Sequence, residues 1–265
     1  MMDKNIVFFD IDGTLVDEET FLIPESTKKA IHDMRKNGHL AFINTGRTVC
    51  QIPNIKTAIE FDGIICGCGT YIEYDNKVLL HNSLGKDLSQ KIVQAVKKYK
   101  LDAALEGIDG VYYDDLEFIK HPEILKVRNI HEQEGVSTSE NWYKDDLNID
   151  KLVIFLNEDS DFQGFFNEFK DTLDFIKRAE DFYELVPLNY CKATGIQFII
   201  DYLNIPFENT FAIGDSTNDL TMLQYVKNSI AMGNSNPKLF DFVTFVTKDI
   251  KDDGIQHALS HYKMI

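Results

Sequence analysis

Two patterns of hydrophobic and polar positions divide this chain. Near both ends, short apolar runs alternate with segments whose apolar residues recur at helical spacing. Strands and helices in alternation are typical of a parallel sheet, so we predict an α/β domain from these two parts. The predicted strands are Ile6–Phe9, Leu40–Ile43, Gly63–Cys66 and Thr210–Ile213, and the predicted helices include Pro24–Asn37, Lys192–Leu203, Leu220–Val226 and Asp253–Leu259.

The middle of the chain does not follow this alternation. Tyr71–Leu80 has the pattern of a hairpin that turns at Asp75-Asn76-Lys77. We predict a second, α+β domain over residues 82–186, inserted into a first domain formed by residues 1–81 and 187–265. Its predicted elements are the helices Lys86–Tyr99 and Asp161–Phe169 and the strands near Ala103–Glu106, Val111–Tyr113, Lys151–Leu156, Leu173–Arg178 and Phe182–Val186.

One acidic stretch of the insertion, between its second and third predicted strands, has no clear period. We predict irregular structure there, and we assign no helix or strand to His131–Asn148. Trp142 and Tyr143 lie inside this stretch. They either anchor the loop to the core of the inserted domain or face a ligand, and packing is the favoured role because most aromatic side chains in such loops serve it.

Composition and charge exclude some classes of function. A hydrophobic fraction of 44% and a charged fraction of 26% are those of an ordinary globular protein. The net charge is −16, and the insertion, with 23 Asp and Glu against 13 Lys and Arg, carries −10 of it. Nucleic acid and anionic membrane surfaces should therefore repel the chain. No apolar run is long enough to span a bilayer, and we expect a monomer or a weak homodimer.

We expect a cytoplasmic location. The first predicted strand begins at Ile6, which leaves no room for a signal peptide. The cysteines are Cys50, Cys66, Cys68 and Cys191, and no two of them form a CxxC pair. We interpret them as reduced thiols.

Candidate chemistry begins where the first strand ends. Asp10 and Asp12 follow the apolar run, and Gly13 permits a tight turn. Ligands of open α/β sheets bind outside the carboxyl ends of the strands. Two carboxylates this close repel each other unless a cation neutralises them, and carboxylate oxygens suit Mg²⁺. Because Asp-Gly after a strand is also a common turn, this stretch alone leaves the function open.

Three further stretches follow the same logic. Thr45 and Gly46 end the second strand and can hold a phosphate oxygen. Lys192 opens a helix, where the dipole disfavours a cation, so it suggests a shared anion; a solvated surface lysine is the alternative. Gly214–Asp219, with the sequence GDSTND, follows another buried strand. Its two aspartates and one asparagine are metal and phosphate ligands, and a helix cap explains only one of them.

Taken in order, these four stretches resemble the motifs of the haloacid dehalogenase superfamily of phosphatases. Asp10–Thr14 reads DIDGT and matches the first motif, DxDGT; Thr45-Gly46 matches the second, Lys192 the third, and GDSTND the fourth, GDxxND. An insertion between the second and third motifs is similar to the Cof-type subfamily, whose core carries a C2-type (IIB) cap. The resemblance covers the whole chain and implies an α/β protein, a Rossmann-like parallel-sheet core with an inserted α+β cap domain.

The resemblance also implies catalytic and metal-binding roles. Asp10 would be the nucleophile that takes the phosphoryl group as an aspartyl-phosphate. Asp12 would protonate the leaving alcohol and then activate water. Mg²⁺ would be bound by the carboxylates of Asp10 and Asp215 and by the main-chain oxygen of Asp12, with Asp219 supporting the metal site.

A second group of residues would bind the phosphate. Thr45, Gly46 and Lys192 would hold the phosphoryl oxygens, together with the amides near Ile11. Asn218 would hold either Lys192 or the phosphate. Negative charge gathers on the equatorial oxygens of the transferring group, so a cation and fixed donors suit the reaction.

Two features depart from this pattern or stand outside it. Cys191 precedes the lysine where the family pattern favours a polar residue. It is either a redox-sensitive thiol or, as we favour, a small packing residue. His257 and His261 are four residues apart on a predicted helix, a spacing that can bind zinc. Without an acidic third ligand of the HExxH type, a surface face is favoured.

We therefore predict a Mg²⁺-dependent phosphatase that hydrolyses small phosphorylated metabolites. Sugar phosphates are the favoured substrates, followed by flavin or pyridoxal phosphates. The cap would close over the core and select the leaving group, with Glu106, Tyr112, Tyr113 and Glu184 as candidate contacts. The alternatives are a phosphotransferase or mutase that uses the same intermediate, and a regulatory binding protein that has kept the fold without turnover.

Overall fold

A computed structural model of the chain describes residues 4–138 and 141–265. The chain divides into two compact units. The first contains the chain up to Gly46, Ile55–Leu80 and Cys191–Ile265, and the second contains Arg47–Asn54 and His81–Tyr190. No helix within the described ranges has the length and apolar character needed to cross a membrane.

The elements follow the predicted order closely. The strands are β1 (Ile6–Phe9), β2 (Leu40–Asn44), β3 (Gly63–Cys66), β4 (Tyr71–Tyr74), β5 (Lys77–His81), β6 (Asp102–Glu106), β7 (Val111–Tyr112), β8 (Lys151–Phe155), β9 (Leu173–Lys177), β10 (Phe182–Pro187), β11 (Thr210–Gly214), β12 (Asn228–Ala231) and β13 (Phe245–Val246). The α-helices are α1 (Glu25–Lys36), α2 (Pro53–Ala58), α3 (Lys86–Lys98), α4 (Pro122–Gln133), α5 (Phe162–Phe169), α6 (Lys192–Leu203), α7 (Leu220–Tyr225) and α8 (Gly254–His261).

The first unit is built on an eight-stranded sheet in the order β13-β12-β11-β1-β2-β3-β4-β5. The strands from β13 to β3 are parallel, and β4 is antiparallel to β3. All four residues of β1 are fully buried, as an apolar run without alternation predicts for a central parallel strand. The predicted α/β fold with a parallel core is confirmed.

The hairpin of β4 and β5 turns on two residues rather than three. Asp75 and Asn76 have φ values of 49° and 58°, and β5 begins at Lys77. Two consecutive left-handed residues are the geometry of a type I′ turn, for which Asp and Asn are among the tolerated residues. The side-chain chemistry of the turn therefore accounts for the tighter connection.

The second unit contains a five-stranded antiparallel sheet in the order β7-β6-β8-β10-β9. One face packs against α3 and α5, where Ile92 and Phe165 join Leu105 and Leu152 in one core cluster. The other face packs against α4 through Ile124. The α+β pattern predicted for the insertion is present.

The helix α4 was missed by the sequence analysis. Ile124 is its only buried residue, and Leu125 and Ile130 remain 40% and 39% exposed. The apolar positions therefore do not form the continuous stripe on which periodicity depends. Pro122 at the first helical turn and Gly135 after the end are the signals that could have found it.

Trp142 and Tyr143 have different environments. Trp142 is 1% exposed and belongs to the larger core cluster of the second unit, so its predicted role in packing is confirmed. Tyr143 is 43% exposed, and its hydroxyl donates to Asp114 Oδ1 at 2.6 Å. Only the tryptophan of this pair is a core anchor.

The segment Arg47–Asn54 belongs to the second unit and not to the first domain predicted over residues 1–81 and 187–265. Arg47 Nη1 lies 3.0 Å from Glu134 Oε2, and Gln51 Nε2 donates to Glu106 Oε2 at 3.0 Å. These long-range polar contacts have no periodic signature in the sequence. The second unit therefore includes a short segment of the chain that directly follows Gly46.

Within the second unit, His131 occupies a partly buried position that disfavours its charged form. Its Nδ1 lies 2.7 Å from the Tyr113 hydroxyl. Burial, together with the charges of Arg47 and Lys151, lowers the pKa of His131 to about 4. The folded state therefore holds this imidazole neutral at pH values where the unfolded chain protonates it.

We predict that His131 makes the protein acid-sensitive. The stabilising effect is complete above the unfolded pKa of 6.5 and is lost as the pH falls towards the folded pKa of about 4. Its full size is up to about 3 kcal/mol of unfolding free energy. Urea unfolding of the wild type and of His131→Asn between these pH values measures it. Equal acid sensitivity in both proteins would contradict this assignment.

Candidate active site

The topology of the first unit brings three of the four predicted stretches to one edge of its sheet. The central strand β1 lies between β2 and β11, and Phe9 is in register with both Ile43 and Ile213. The residues that follow these strands therefore start side by side. They are the turn after Phe9, the Thr45-Gly46 stretch and the loop that begins at Gly214.

The fourth stretch contributes Lys192, which is buried rather than solvated. Its side chain is 2% exposed, and Nζ lies 2.5 Å from Asp10 Oδ1 and 2.5 Å from Asp219 Oδ1. Burial alone would lower the pKa of this ammonium group, but the two carboxylates raise it above its ordinary value. The surface-lysine alternative is therefore wrong, because Lys192 is a charged group held inside the site.

Three carboxylates cluster around this lysine. Asp10, Asp215 and Asp219 each offer an oxygen, and these atoms all lie within 4.8 Å of one another. Burial and repulsion from Asp219 raise the pKa of Asp10 to about 7. Burial and repulsion from Asp10 raise the pKa of Asp215 to about 8. One ammonium group therefore does not balance the cluster, and a divalent cation would lower both values by relieving the repulsion.

The third carboxylate is already committed to local contacts. Asp219 Oδ2 accepts the main-chain N–H groups of Asp215 and Ser216 at 3.0 and 3.1 Å, while Oδ1 faces Lys192. A residue so engaged fixes the loop and the lysine. Asp10 and Asp215 are the carboxylates of the cluster whose raised pKa values indicate unbalanced charge, and carboxylate oxygens suit Mg²⁺.

The turn after β1 approaches the loop after β11 very closely. Gly13 has φ of +73°, and a Cβ atom there would lie 2.4 Å from Asp215 Oδ2. Its main-chain oxygen accepts from Asn234 Nδ2 at 2.8 Å, and its N–H donates to Val16 at 2.9 Å. Only glycine fits here, both for its backbone conformation and for the space beside Asp215. Asp12 precedes this glycine and is partly exposed.

The Thr45-Gly46 stretch is fixed by backbone contacts with the neighbouring strand. The Thr45 N–H donates to Ile65 at 2.9 Å, and the Thr45 carbonyl accepts from Cys68 at 3.1 Å. The threonine is 2% exposed. The residue before it, Asn44, donates to the main-chain oxygen of Lys192 at 3.0 Å and so links β2 to the start of α6. A phosphate-binding turn needs such rigidity.

Asn218 does not contact Lys192, and its predicted contact with the phosphate stays a prediction. Its Oδ1 accepts from Ser216 Oγ at 2.5 Å, and the second carboxylate that holds Lys192 belongs to Asp219. Asn44 and Asn234, which hold Lys192 and Gly13 in place, were not singled out from the sequence. Asn44 directly follows the predicted strand Leu40–Ile43, and Asn234 lies three residues after the end of β12.

The candidate contacts of the insertion fall into two groups. Glu106 and Glu184 are 5% exposed and flank Lys151, with Glu106 Oε2 at 3.5 Å from its Nζ and Glu184 in direct contact. Arg178 also pairs with Glu184. Despite burial, the charges of these two cations lower the pKa of Glu184 to about 2. Burial raises the pKa of Glu106.

The two tyrosines are not part of this ionic cluster. Tyr112 belongs to the core on the α3 and α5 face of the second sheet, and Tyr113 belongs to the core beneath α4. They are 6% and 1% exposed. All four residues are buried, and their predicted role as substrate contacts stays a prediction.

The two features outside the family pattern have structural roles. Cys191 is the N-cap residue of α6, and its main-chain N–H donates to Thr194 Oγ1 at 3.0 Å. His261 stacks on Phe245 with ring centroids 4.1 Å apart, and His257 Nδ1 lies 2.9 Å from Thr247 Oγ1. These contacts use the histidines in packing at the end of the sheet, in keeping with the interpretation that they do not bind zinc.

We predict that Gly13→Ala weakens both the fold and cation binding. Gly135 has a similar φ of +78° with no atom near a Cβ, so Gly135→Ala is the matched control for backbone strain. Each substitution should cost about 1 kcal/mol of unfolding free energy through strain. Gly13→Ala should lose more, along with most of any stabilisation by a divalent cation, because Asp215 must move. Urea unfolding with and without Mg²⁺ measures both effects; equal losses in the two variants would contradict the close approach.

Comparisons with known proteins agree with this arrangement. The chain is 28% identical over 264 residues to the protein YkrA of Bacillus subtilis (strain 168), and the match covers 100% of both chains. It is 26% identical over 270 residues to 5-amino-6-(5-phospho-D-ribitylamino)uracil phosphatase YitU of the same organism, with 97% of each chain covered. Both relatives match along nearly their whole length.

The fold is also that of a solved structure. The HAD subclass IIB sugar phosphatase BT4131 superposes with a TM-score of 0.80 at 24% identity, covering 99% of this chain and 100% of that one. The family model for haloacid dehalogenase-like hydrolases matches residues 7–259, which include all four stretches of the site. The chain therefore belongs to the haloacid dehalogenase-like hydrolase family, as its motifs predict.

Proposed function

We propose that this protein is a Mg²⁺-dependent phosphatase that hydrolyses small phosphomonoesters through an aspartyl-phosphate. The grouping of Asp10 and Asp215 around the buried ammonium group of Lys192 supports the proposal most directly. A phosphate monoester needs a nucleophile and fixed positive charge, and little else from the protein. The chain belongs to a hydrolase family, and one of its relatives is a phosphatase by name; both findings agree with the proposal.

The nucleophile in this mechanism is Asp10. One of its carboxylate oxygens attacks phosphorus, the bond from phosphorus to the leaving oxygen breaks, and Asp12 gives its proton to the departing alcohol. Asp12 then takes a proton from water, which attacks the aspartyl-phosphate and releases inorganic phosphate. Attack requires Asp10 to be ionised, and Lys192 at 2.5 Å favours that form.

The donor set fits a hard divalent cation. Asp10, Asp215 and the main-chain oxygen of Asp12 would hold Mg²⁺, and Asp219 would position the loop and Lys192 around it. The bound cation would neutralise the negative charge that builds up on the phosphoryl group. Repulsion within the carboxylate cluster, visible in the raised pKa values of Asp10 and Asp215, supports this assignment.

The phosphoryl oxygens would be bound by the rigid donors around the cluster. These are the main-chain amide of Ile11, the Thr45 hydroxyl, the Gly46 amide, Lys192 and the Asn218 amide group. A fixed set of donors stabilises charge in the transition state without reorganisation at the moment of reaction. The backbone contacts that hold Thr45 in place support its inclusion.

Residues 82–186 would form the cap that selects the substrate. Sugar phosphates are the proposed substrate class, with Glu106 and Glu184 as hydrogen-bond acceptors for substrate hydroxyl groups. YitU, a relative along its full length, acts on a phosphorylated ribitylaminouracil by its name. That compound carries a sugar-alcohol phosphate and is a specific second candidate, ahead of flavin and pyridoxal phosphates.

We also infer a cytoplasmic setting and a monomer or weak homodimer. The four cysteines are free thiols, which suits a reducing compartment. The net charge of −16 disfavours contact with nucleic acid and with anionic membrane surfaces. A phosphotransferase, a mutase and a regulator without turnover remain the alternatives to hydrolysis.

We predict that Asp10→Asn abolishes phosphate release and leaves the protein folded. Turnover should fall to below about one thousandth of the wild-type rate, because the amide is not a nucleophile. The unfolding free energy should stay the same or rise, since the substitution removes a repelled carboxylate. Asp201→Asn, an exposed carboxylate of α6 in the same unit, is the control. Near-normal turnover in Asp10→Asn would exclude the proposed mechanism.

The substrate and the metal are tested together by phosphate release from a panel of phosphomonoesters, with Mg²⁺ and with EDTA. Sugar phosphates, the phosphorylated ribitylaminouracil, flavin mononucleotide and pyridoxal phosphate form the panel. We expect release with Mg²⁺ that EDTA abolishes, and the highest rates for sugar phosphates. Undiminished release in EDTA would exclude the metal. Transfer of the phosphoryl group to an added alcohol, with no release of free phosphate, would show that the protein is a phosphotransferase and not a hydrolase.

A further inference from the structure

A cavity of about 400 Å³ opens in the second unit and is not used by the proposed reaction. It lies where β6 begins and β8 ends, and Asp102 and Asn157 form part of its lining. A volume of this size is in the range of small-molecule binding pockets. What it could bind follows from the charge and the shape of its walls.

The cavity is lined by three lysines, in a region whose net charge is strongly negative. Lys97, Lys100 and Lys120 all contribute to it. Lys120 Nζ pairs with Asp159 at 2.5 Å, and Lys97 Nζ lies 3.9 Å from the centre of the Tyr143 ring. Within residues 4–138 and 141–265, the Lys100 ammonium group has no ion-pair partner. An unpaired ammonium group of this kind can attract an anion against the field of the whole protein.

The two carboxylates in the wall, Asp102 and Asp114, offset part of this positive charge, but their oxygens already accept hydrogen bonds from neighbouring donors. Asp102 accepts the main-chain N–H groups of Lys120 and His121 at 2.8 and 3.1 Å, and the Asn157 amide at 2.9 Å. Asp114 accepts from the Tyr143 hydroxyl. Hydrogen bonds of this kind fix the carboxylate oxygens in the wall, and the Lys100 ammonium group remains able to pair with an incoming anion.

The rest of the wall is apolar and includes an exposed aromatic ring. Val96 and Leu101 form buried parts of the lining, while Phe118 remains 56% exposed. The Phe118 ring lies 5.9 Å from Lys97 Nζ. A flat apolar group that stacks on Phe118 would place an attached anionic group among the lysines. An exposed aromatic side chain beside cations is a common way to bind planar anions.

This cavity is separate from the ionic cluster of Glu106, Lys151 and Glu184. Asp102 is the first residue of β6 and Glu106 the last, so the two places are at opposite ends of the strand, about 13 Å apart. The chain enters and leaves the unit at the Glu106 end, where Leu84 bonds to Ile149 and β10 ends at Pro187. A ligand in the cavity would not occupy the position of the candidate substrate contacts.

We propose that this cavity is a second binding site, which takes a small anion carrying a planar aromatic ring. The lysines bind the anionic group, and Phe118, Val96 and Leu101 bind the ring. The site does not depend on the proposed phosphatase activity, because none of these residues belongs to the catalytic cluster. Such a ligand would act as an effector or a stored cofactor rather than as the group that is hydrolysed.

The test uses 8-anilinonaphthalene-1-sulfonate, an aromatic anion whose fluorescence rises on binding to an apolar site. Titration of the full chain should show one saturable site. Lys100→Gln and Phe118→Ser should each weaken binding about threefold to fivefold, the loss of one partly exposed ion contact or one stacking contact. Lys91→Gln, an exposed lysine of α3 outside the cavity, should change it less than twofold, which is about the noise of such a fit.

Competition identifies the chemistry of the site. Adenosine monophosphate should displace the probe, and inorganic phosphate at the same concentration should not. Equal displacement by both would overturn the role of the ring, and unchanged binding in Lys100→Gln and Phe118→Ser would overturn the site. Urea unfolding confirms that the variants are folded. Loss of phosphatase activity in Asp10→Asn with probe binding retained would separate this site from the proposed reaction.

Discussion

The first unit depends on how a buried ammonium group is balanced by three carboxylates. Lys192 contacts Asp10 and Asp219 directly, and Asp215 completes the cluster. Removing the ammonium group of Lys192 would be costly, because three buried carboxylates would then repel one another without water to solvate them. The loops that carry these residues are therefore tied to one another by electrostatics as well as by the sheet. The excess of negative charge makes burial of the cluster energetically unfavourable, and the same excess favours the binding of a cation.

Much of this arrangement can be predicted from the sequence because it follows from order along the strands. Apolar runs that end in Asp10, Thr45 and Asp215 identify the residues, and the strand order β11-β1-β2 makes those strand ends adjacent. For Lys192, the sequence indicated an anion-binding role only through its position at the start of a helix. Its burial could not be predicted, since an isolated lysine in a sequence is far more often exposed.

What the sequence could not supply are contacts between residues far apart in the chain that leave no periodic trace. The helix α4 has one buried residue, too few for a pattern. Asn44 and Asn234 act through side-chain hydrogen bonds to distant main-chain groups, and nothing in the sequence distinguishes them from other polar residues near strand ends. The segment Arg47–Asn54 joins the second unit through side-chain contacts with residues such as Glu106 and Glu134. The amphipathic period of a helix or strand indicates which of its faces is buried, but it does not indicate such side-chain contacts between distant residues.

The pairing of β1 with β11 has a consequence for how the chain is made. Thr14 and Asp215, which face each other across that pair, are 201 residues apart in sequence. On the ribosome, β1 emerges first and must wait until β11 has been synthesised before its second edge is covered. The five strands of the second unit are complete by Pro187 and can assemble earlier. The acidic insertion could thus fold while the hydrophobic centre of the first unit still lacks its last strands.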